Sequence, residues 1–413
     1  MPTQTVMLVK QIPEYLGSEL AKRVYYVTPG IEGFQLISEG GRVVGVEVTT
    51  STAVNGDELS RKLDVIITKD VLPQEQLETE IIWKSPHAAQ GDDGVFAKLA
   101  DADIVAEMGE GLYAVGGLFG KVMFGLDRRL HELAVQEFDA DSFHYPTLIS
   151  TETLRRAGYM SAFPQFLMTA SRFHSDVDTY DSFTSGIAAS EDIGKHIEEH
   201  SEHIGYCLPP AVCYHVYEHL SGSSLDKKSI AVTTRGKTFR FEARYRRSLE
   251  RLWEFTMREV VFFGDRNSVV EQRRRMVSAV CDLVDELGLA GRVEVANDPF
   301  FLNEQVADYV QVQRVMELKY ELCLPVEAGR SVAAGSFNVH GDRFGSVFGI
   351  SDADGGTAHT ACVGFGLERF AYAVFCQHGA DPGAWPDALK ALVSSHGNGA
   401  AGEPDVEKGR PRR

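Results

Sequence analysis

"TACVGFGLERFAYAVF", residues 360 to 375, decides how this chain is read. A run of small and apolar residues carries Cys362, passes Gly364 and Gly366, and turns into a helix at Glu368 and Arg369. Such a short apolar run reads as a buried strand, and the spacing after it reads as a helix. Helix starts favour acids, because the positive end of the helix dipole lies there. An arginine at that place implies an anion to be met. Cys362 taken alone reads as core, as most buried cysteines do.

The totals bound the rest. The chain has 413 residues, 44% hydrophobic and 10% aromatic, the proportions of an ordinary globular protein of two or three domains. No apolar run reaches the length of a membrane span. The start, "MPTQTVMLVKQIPEYLG", lacks the apolar core and small-residue cleavage site of a signal peptide, so a soluble cytoplasmic protein is expected. The six cysteines are scattered and are expected to be reduced. Net charge is −18, and residues 1 to 142 hold 12 Lys and Arg against 23 Asp and Glu, a balance of −11. Nucleic-acid affinity comes largely from neutralised phosphates, so this region is a poor nucleic-acid surface.

Residues 20 to 70 break into short runs, "RVYYVTPG", "GFQLISEGG", "RVVGVEVTT" and "LDVIITKD", punctuated by Gly, Pro and Asn-Gly. That is the grammar of antiparallel strands and hairpins. "DDGVFAKLADADIVAEMG" and "GLFGKVMFGLDRRLHELAVQEF" have helical spacing, as does "NSVVEQRRRMVSAVCDLVDELGL"; "SEDIGKHIEEHSEHIGY" reads as a polar helical connector. The expected division is a mixed α/β domain over 1–140, a second domain over 141–395 and a disordered Gly-rich, charged tail over 396–413. "VGGLFGKV" fails as a phosphate loop at both ends, and "GFGLER" has only two glycines of a dinucleotide fingerprint.

"KTFRFEARYRRSLERLWEFTMREVVFFGD", residues 237 to 265, reads as strand, charged loop, strand. Alternation puts Arg240 and Glu242 on one face of the first strand. It puts Phe255, Met257 and Glu259 on one face of the second. If the strands pair, these polar residues share a cleft. Any one of them alone reads as part of a solvated hairpin face.

These segments together resemble a known family. Arg240 in "FRFE" looks like motif 2 of class II aminoacyl-tRNA synthetases, Arg369 in "GFGLERF" like motif 3, and Pro146 in "FHYPTLIS" like motif 1. "SFNVHGDRFGSVFGI" resembles the strand and loop before motif 3 of seryl-tRNA synthetases. More narrowly, "GYMSAFPQFL", "PAVCYHVY", "FTMREVV", "NDPFF" and "ACVGFGLERF" resemble the amino acid:[carrier protein] ligases, truncated relatives of archaeal-type seryl-tRNA synthetases. The likeness spans residues 143 to about 385. Those ligases typically lack an N-terminal domain, and this chain has residues 1–140 there.

The resemblance implies an α+β fold, an antiparallel sheet flanked by helices and paired as a homodimer around Pro146. It implies ATP-dependent activation of a small amino acid and transfer to the phosphopantetheine thiol of a holo carrier protein, with tRNA not the acceptor and no membrane partner. A zinc ion would be held by Cys213, Glu259 and Cys362, which are 46 and 103 residues apart. Two thiolates and a carboxylate leave a fourth zinc position open. Arg240 would contact the α-phosphate and the amino-acid carboxylate, and Arg369 the γ-phosphate. Phe255 would stack on adenine opposite Arg369, and Glu242 would read the adenine amino group. Glu321 and Ser336 or Asn338 would serve the magnesium and ribose side. Cys207, Cys281, Cys323 and Cys376 read as core. Two alternatives stand beside this: an archaeal-type zinc-dependent seryl-tRNA synthetase with residues 1–140 as its tRNA-binding domain, and a paralogue that keeps the fold as a binding protein.

Overall fold

The structure, a computed structural model, describes residues 1–72, 80–88, 93–242, 248–296 and 318–394. The chain opens with β1 (Thr3–Pro13), α1 (Gly17–Val24), β2 (Ile31–Glu39), β3 (Arg42–Thr50) and α2 (Gly56–Ile66). The strands form an antiparallel sheet in the order β1-β3-β2. Val6, Leu8, Val46 and Val48 pack with Leu20, Val24, Leu59 and Leu63 in a core of their own.

Two runs read as strands are not strands. "LDVIITKD" lies in α2 and in the π-turn Ile67–Val71 that continues it. Asn55 caps that helix by accepting the N–H groups of Asp57 and Glu58, and Leu59, Leu63 and Ile66 then fall on one buried stripe. "RVYYVTPG" is the end of α1 and the turn after it. Arg23 reaches from α1 to the buried carboxylate of Asp70 and so ties the two helical segments together.

From residue 81 the chain builds a second body. It runs β4 (Ile81–Lys84), α3 (Val95–Asp101), β5 (Val105–Gly109), β6 (Leu112–Val115), α4 (Gly117–Phe138), β7 (Asp141–Phe143) and β8 (Ile149–Ser150). There follow α5 (Thr151–Arg156), α6 (Tyr159–Ala162), β9 (Met168–Phe173), α7 (Val177–Gly186), α8 (Ile193–Glu199), β10 (Ser201–Leu208) and α9 (Cys213–His219). The rest is β11 (Ser229–Phe239), β12 (Glu254–Gly264), α10 (Arg266–Glu286), β13 (Arg292–Val295), β14 (Lys319–Pro325), β15 (Ser331–Gly341), α11 (Arg343–Phe348), β16 (His359–Gly366), α12 (Leu367–His378) and α13 (Asp387–Ser394). "DDGVFAKLADADIVAEMG" and "SEDIGKHIEEHSEHIGY" therefore each hold a short helix followed by a strand.

Eight strands form one sheet in the order β4-β13-β14-β15-β16-β12-β11-β7. It is antiparallel except where β7 lies parallel to β11. The two faces of β12 do different work, because successive side chains alternate. Val260 and Phe262 belong to a large core with Phe119 and Leu126 of α4, Met276 and Val280 of α10, and Phe370 and Phe375 of α12. Val261 and Phe263 pack with Val216 and Tyr217 of α9 and Phe344 and Phe348 of α11. Under α4, Asp127 accepts two bonds from the buried Arg258 guanidinium, at 2.7 and 3.0 Å, and one from Arg235 at 3.2 Å.

Residues 81–140 thus belong with the large sheet, through β4 on β13 and through α4 in the main core. We propose that the division between the two units falls between residues 72 and 80, ahead of the expected boundary at 140. Among the described residues, no helix is long and apolar enough to cross a membrane. The tail expected over 396–413 lies outside the described residues.

Candidate active site

A cavity of about 430 Å³ lies over one face of β14, β15, β16 and β12. Its floor follows from strand register. Glu259 stands opposite Gly364, Asn338 opposite Cys362, and Ser336 opposite both Gly364 and Glu321. Phe255, Met257 and Glu259 share one face as the alternation requires, and all three line the cavity. The roof comes from residues 157–166 and from the start of α9.

Cys213, Glu259 and Cys362 converge there. Cys213 is the first residue of α9, Glu259 comes from β12 and Cys362 from β16. Their ligand atoms all lie within 4.8 Å of one another, and all three residues are buried. Glu259 accepts the backbone N–H of Cys213. Burial pushes the Glu259 carboxyl up to about 7, against that hydrogen bond and the pull of Arg240. The bond to Cys362 draws the Cys213 thiol down, but burial and the Glu259 charge outweigh it and its pKa is raised. Pairing with Cys213 and burial hold the Cys362 thiol well above its ordinary value. Three donors whose charged forms burial disfavours, packed within one ion's reach, suit a cation that accepts two sulfurs and an oxygen and takes the place of their protons.

Another side of the cavity is built on arginines. Arg240 and Arg369 both line the cavity, and their guanidinium carbons lie 5.4 and 5.9 Å from the centroid of the Phe255 ring. Arg240 donates from Nε to the Pro210 carbonyl at 3.0 Å, and Arg369 from Nε to the Glu250 carbonyl at 2.8 Å. Glu368 holds the start of α12 against β12. Its buried carboxylate accepts the Thr256 backbone N–H at 2.8 and 2.9 Å and the Thr256 hydroxyl at 2.9 Å. The acid expected at a helix start is therefore spent on anchoring, and the next residue, Arg369, turns into the cavity.

The structure differs from the sequence reading at Arg240 and Glu242. β11 ends at Phe239, so neither residue lies on the strand. A tight turn follows, in which the Glu242 N–H donates to the Arg240 carbonyl at 2.7 Å. Glu242 is not a lining residue of the cavity. Its buried carboxylate sits 2.9 Å from Arg251 and 3.6 Å from Arg369. Burial opposes its ionisation, but Arg251, Arg369 and Arg240 outweigh that and its pKa is lowered. Trp253 clamps the turn. Its carbonyl accepts the Arg240 N–H at 2.9 Å and its indole N–H donates to the Glu242 carbonyl at 2.8 Å. Gly111, at φ +64°, lets the β5–β6 hairpin close on Trp253, where a Cβ would meet the indole at 2.7 Å.

Glu321 and Ser336 line the cavity, as does Asn338, whose Nδ2 donates to Ser336 Oγ at 3.2 Å and to the Cys362 carbonyl at 3.3 Å. Lys319, His340 and Arg343 also line it and escaped the sequence reading. Lys319 Nζ is 3.0 Å from Glu321. The step of two from Ser336 through Asn338 already pointed to His340. Tyr217 stands behind the thiols, fully buried, with its hydroxyl 3.4 Å from His340 Nδ1. Positions 244–247 of the basic "RYRRSLER" run and the "NDPFF" segment lie outside the described residues.

No family model matches this chain. It is 31% identical over 326 residues to amino acid–[acyl-carrier-protein] ligase 1 of Bradyrhizobium diazoefficiens, covering 78% of this chain and 97% of that one. It is 33% identical over 299 residues to ligase 2 of the same organism, covering 71% and 86%. The crystal structure of M. kandleri SerRS in complex with A. aeolicus tRNASec superimposes with a TM-score of 0.69 at 22% identity, over 95% of this chain and 77% of that one. That likeness is one of fold, and the expected class II synthetase-like architecture is the observed one.

Proposed function

Because the chain belongs to the amino acid–[acyl-carrier-protein] ligase family, we propose that it activates a small amino acid with ATP and passes the acyl group to the phosphopantetheine thiol of a holo carrier protein. The observation that carries this reading is one cavity holding both an arginine pair around an aromatic ring and a buried Cys-Glu-Cys triad.

In the first step a carboxylate oxygen of the amino acid attacks the α-phosphorus of ATP, the bond from that phosphorus to the bridging oxygen breaks, and pyrophosphate leaves. The carboxylate is already ionised at neutral pH, so no general base is required. Charge accumulates on phosphate oxygens, and the protein's part is positioning and electrostatic stabilisation. Arg240 meets the α-phosphate and the carboxylate, and Arg369 meets the γ-phosphate. Phe255 offers a face to adenine. Glu242 stays ionised between Arg251 and Arg369 and orients Arg369 from behind. Glu321 and Ser336 face the magnesium and ribose side. Cys213, Glu259 and Cys362 would hold a zinc ion, which would supply Lewis-acid binding for the amino acid's α-amino group. In the second step the carrier's thiol releases its proton to solvent, its sulfur attacks the acyl carbon, and the bond from that carbon to the phosphate oxygen breaks, so that AMP leaves and a thioester remains.

The same catalytic body suits a seryl-tRNA synthetase, and the acceptor separates the two readings. Screened with ATP across the amino acids, purified protein should exchange pyrophosphate with a small one, and that amino acid, radiolabelled, should then appear on a holo carrier. Label on tRNA with none on a carrier would replace this reading with the synthetase one. We also propose a homodimer paired around Pro146, which light scattering at micromolar concentration checks.

A further inference from the structure

We infer that Tyr26 is a positioning residue for ATP: through it the N-terminal unit holds the turn that carries Arg240 and Glu242. This rests on reading the cavity as an adenylation site. Tyr26 follows α1, and its turn is fixed on both sides. Val24 and Val27 are buried in the N-terminal core, and the N–H groups of Tyr26 and Val27 donate to Arg23 and Val24 carbonyls at 3.0 and 3.1 Å. Arg23 is in turn bound to Glu19 and Asp70.

From that support Tyr26 reaches two residues of the other unit. Its hydroxyl donates to the Phe241 carbonyl at 3.4 Å, and its ring meets Phe166 edge-on at 6.3 Å. These targets are themselves joined, since the Phe241 N–H donates to the Phe166 carbonyl at 3.1 Å. Phe166 lines the cavity, and Phe241 lies between Arg240 and Glu242 in the chain. On the far side the Phe241 ring packs on Trp253 at 4.7 Å. The turn is thus gripped from behind by Trp253 and from outside by Tyr26. A shift of the Phe241 carbonyl moves both neighbours: the arginine that lines the cavity and the carboxylate that orients Arg369.

The consequence is specific to nucleotide. Loss of Tyr26 loosens the arginine in the free enzyme, so ATP has to order it on binding. Tyr26→Ala in the full-length protein should raise the KM for ATP in pyrophosphate exchange about fivefold to tenfold, the weight of one or two modest contacts, with kcat changed by less than about twofold. Tyr26→Phe keeps the ring on Phe166 and should fall between wild type and Tyr26→Ala. A role in folding alone would lower the active fraction, and hence apparent kcat, and leave KM untouched. Calorimetric titration of ATP into the same proteins gives an answer independent of turnover. Equal ATP affinity in wild type and both variants would overturn the inference, whatever the exchange assay gives. Weaker ATP binding by Tyr26→Ala in a protein that exchanges no pyrophosphate with any amino acid would uphold Tyr26 and overturn the adenylation reading instead.

Discussion

Replacing Glu259 with glutamine should make the metal-free protein more stable at neutral pH while removing its capacity for metal. Proton linkage sets the sign of the effect. Glu259 is buried, and its carboxyl is pushed up to about 7 from an ordinary value of 4.5. Between those values the unfolded chain has released the proton and the folded chain still holds it. Stability therefore is fully present below the lower value and is lost as pH rises through the upper one. Each pH unit is worth about 1.36 kcal/mol, so the full loss is ~3 kcal/mol, of which ~2 kcal/mol falls between pH 5 and 7.5. Glutamine keeps an oxygen for the Cys213 N–H and has no proton to lose. Urea unfolding of metal-free protein, followed by the emission of Trp83, Trp253 and Trp385, reports the unit that holds the site. The gap between wild type and Glu259→Gln should widen in the variant's favour from pH 5 to pH 7.5. Parallel curves would show that Glu259 ionises normally in the fold, and the account of its burial would then be wrong. Zinc should reverse the order, because a bound cation favours the carboxylate and glutamine supplies no charge.

Three further outcomes are expected. Elemental analysis should find one zinc per chain in the wild type and none in the double variant Cys213→Ala, Cys362→Ala; zinc that persists would mean other ligands. Arg240→Ala and Arg369→Ala should each slow pyrophosphate exchange about a hundredfold, ~3 kcal/mol, with far-ultraviolet circular dichroism unchanged, and near wild-type exchange would remove that residue from the mechanism. Asp127→Ala leaves the buried Arg258 without the carboxylate that accepts two of its bonds, and denaturant unfolding should show a loss of about 3 kcal/mol. A loss below about 1 kcal/mol would mean that water reaches Arg258 in the variant.

The catalytic sheet was legible because its strands carry their own signals. "FTMREVV" and "ACVGFG" are apolar runs of strand length, and a step of two assigns Phe255, Met257 and Glu259 to one face. Convergence of Cys213 with Glu259 and Cys362 was not legible from spacing, since the three lie on separate elements and only the resemblance joined them. In the N-terminal unit, "LDVIITKD" is rich in β-branched residues, but the Asn55 cap and the stripe of Leu59, Leu63 and Ile66 outweigh propensity. Arg240 and Glu242 do not lie on the strand that alternation gives them, because β11 ends at Phe239, where a turn clamped by Trp253 breaks the alternation. That clamp is a contact between residues 11 apart in a loop, and no periodicity encodes it.

The two-faced pleat of β12 bears on how this protein can change over generations. Phe255, Met257 and Glu259 look into the cavity, while Thr256, Arg258, Val260 and Phe262 secure Glu368, Asp127 and the helix-side core. Exchanges at the first set reshape the cavity wall, and because Phe255 and Met257 also belong to the main core they carry a packing cost as well. Those at the second set threaten the architecture without touching selectivity. Inheritance therefore acts on two interleaved alphabets in a single strand. The gain or loss of one codon between them swaps the faces for every residue beyond it. Point changes are tolerated one alphabet at a time, whereas an odd-length insertion in this strand forfeits both at once.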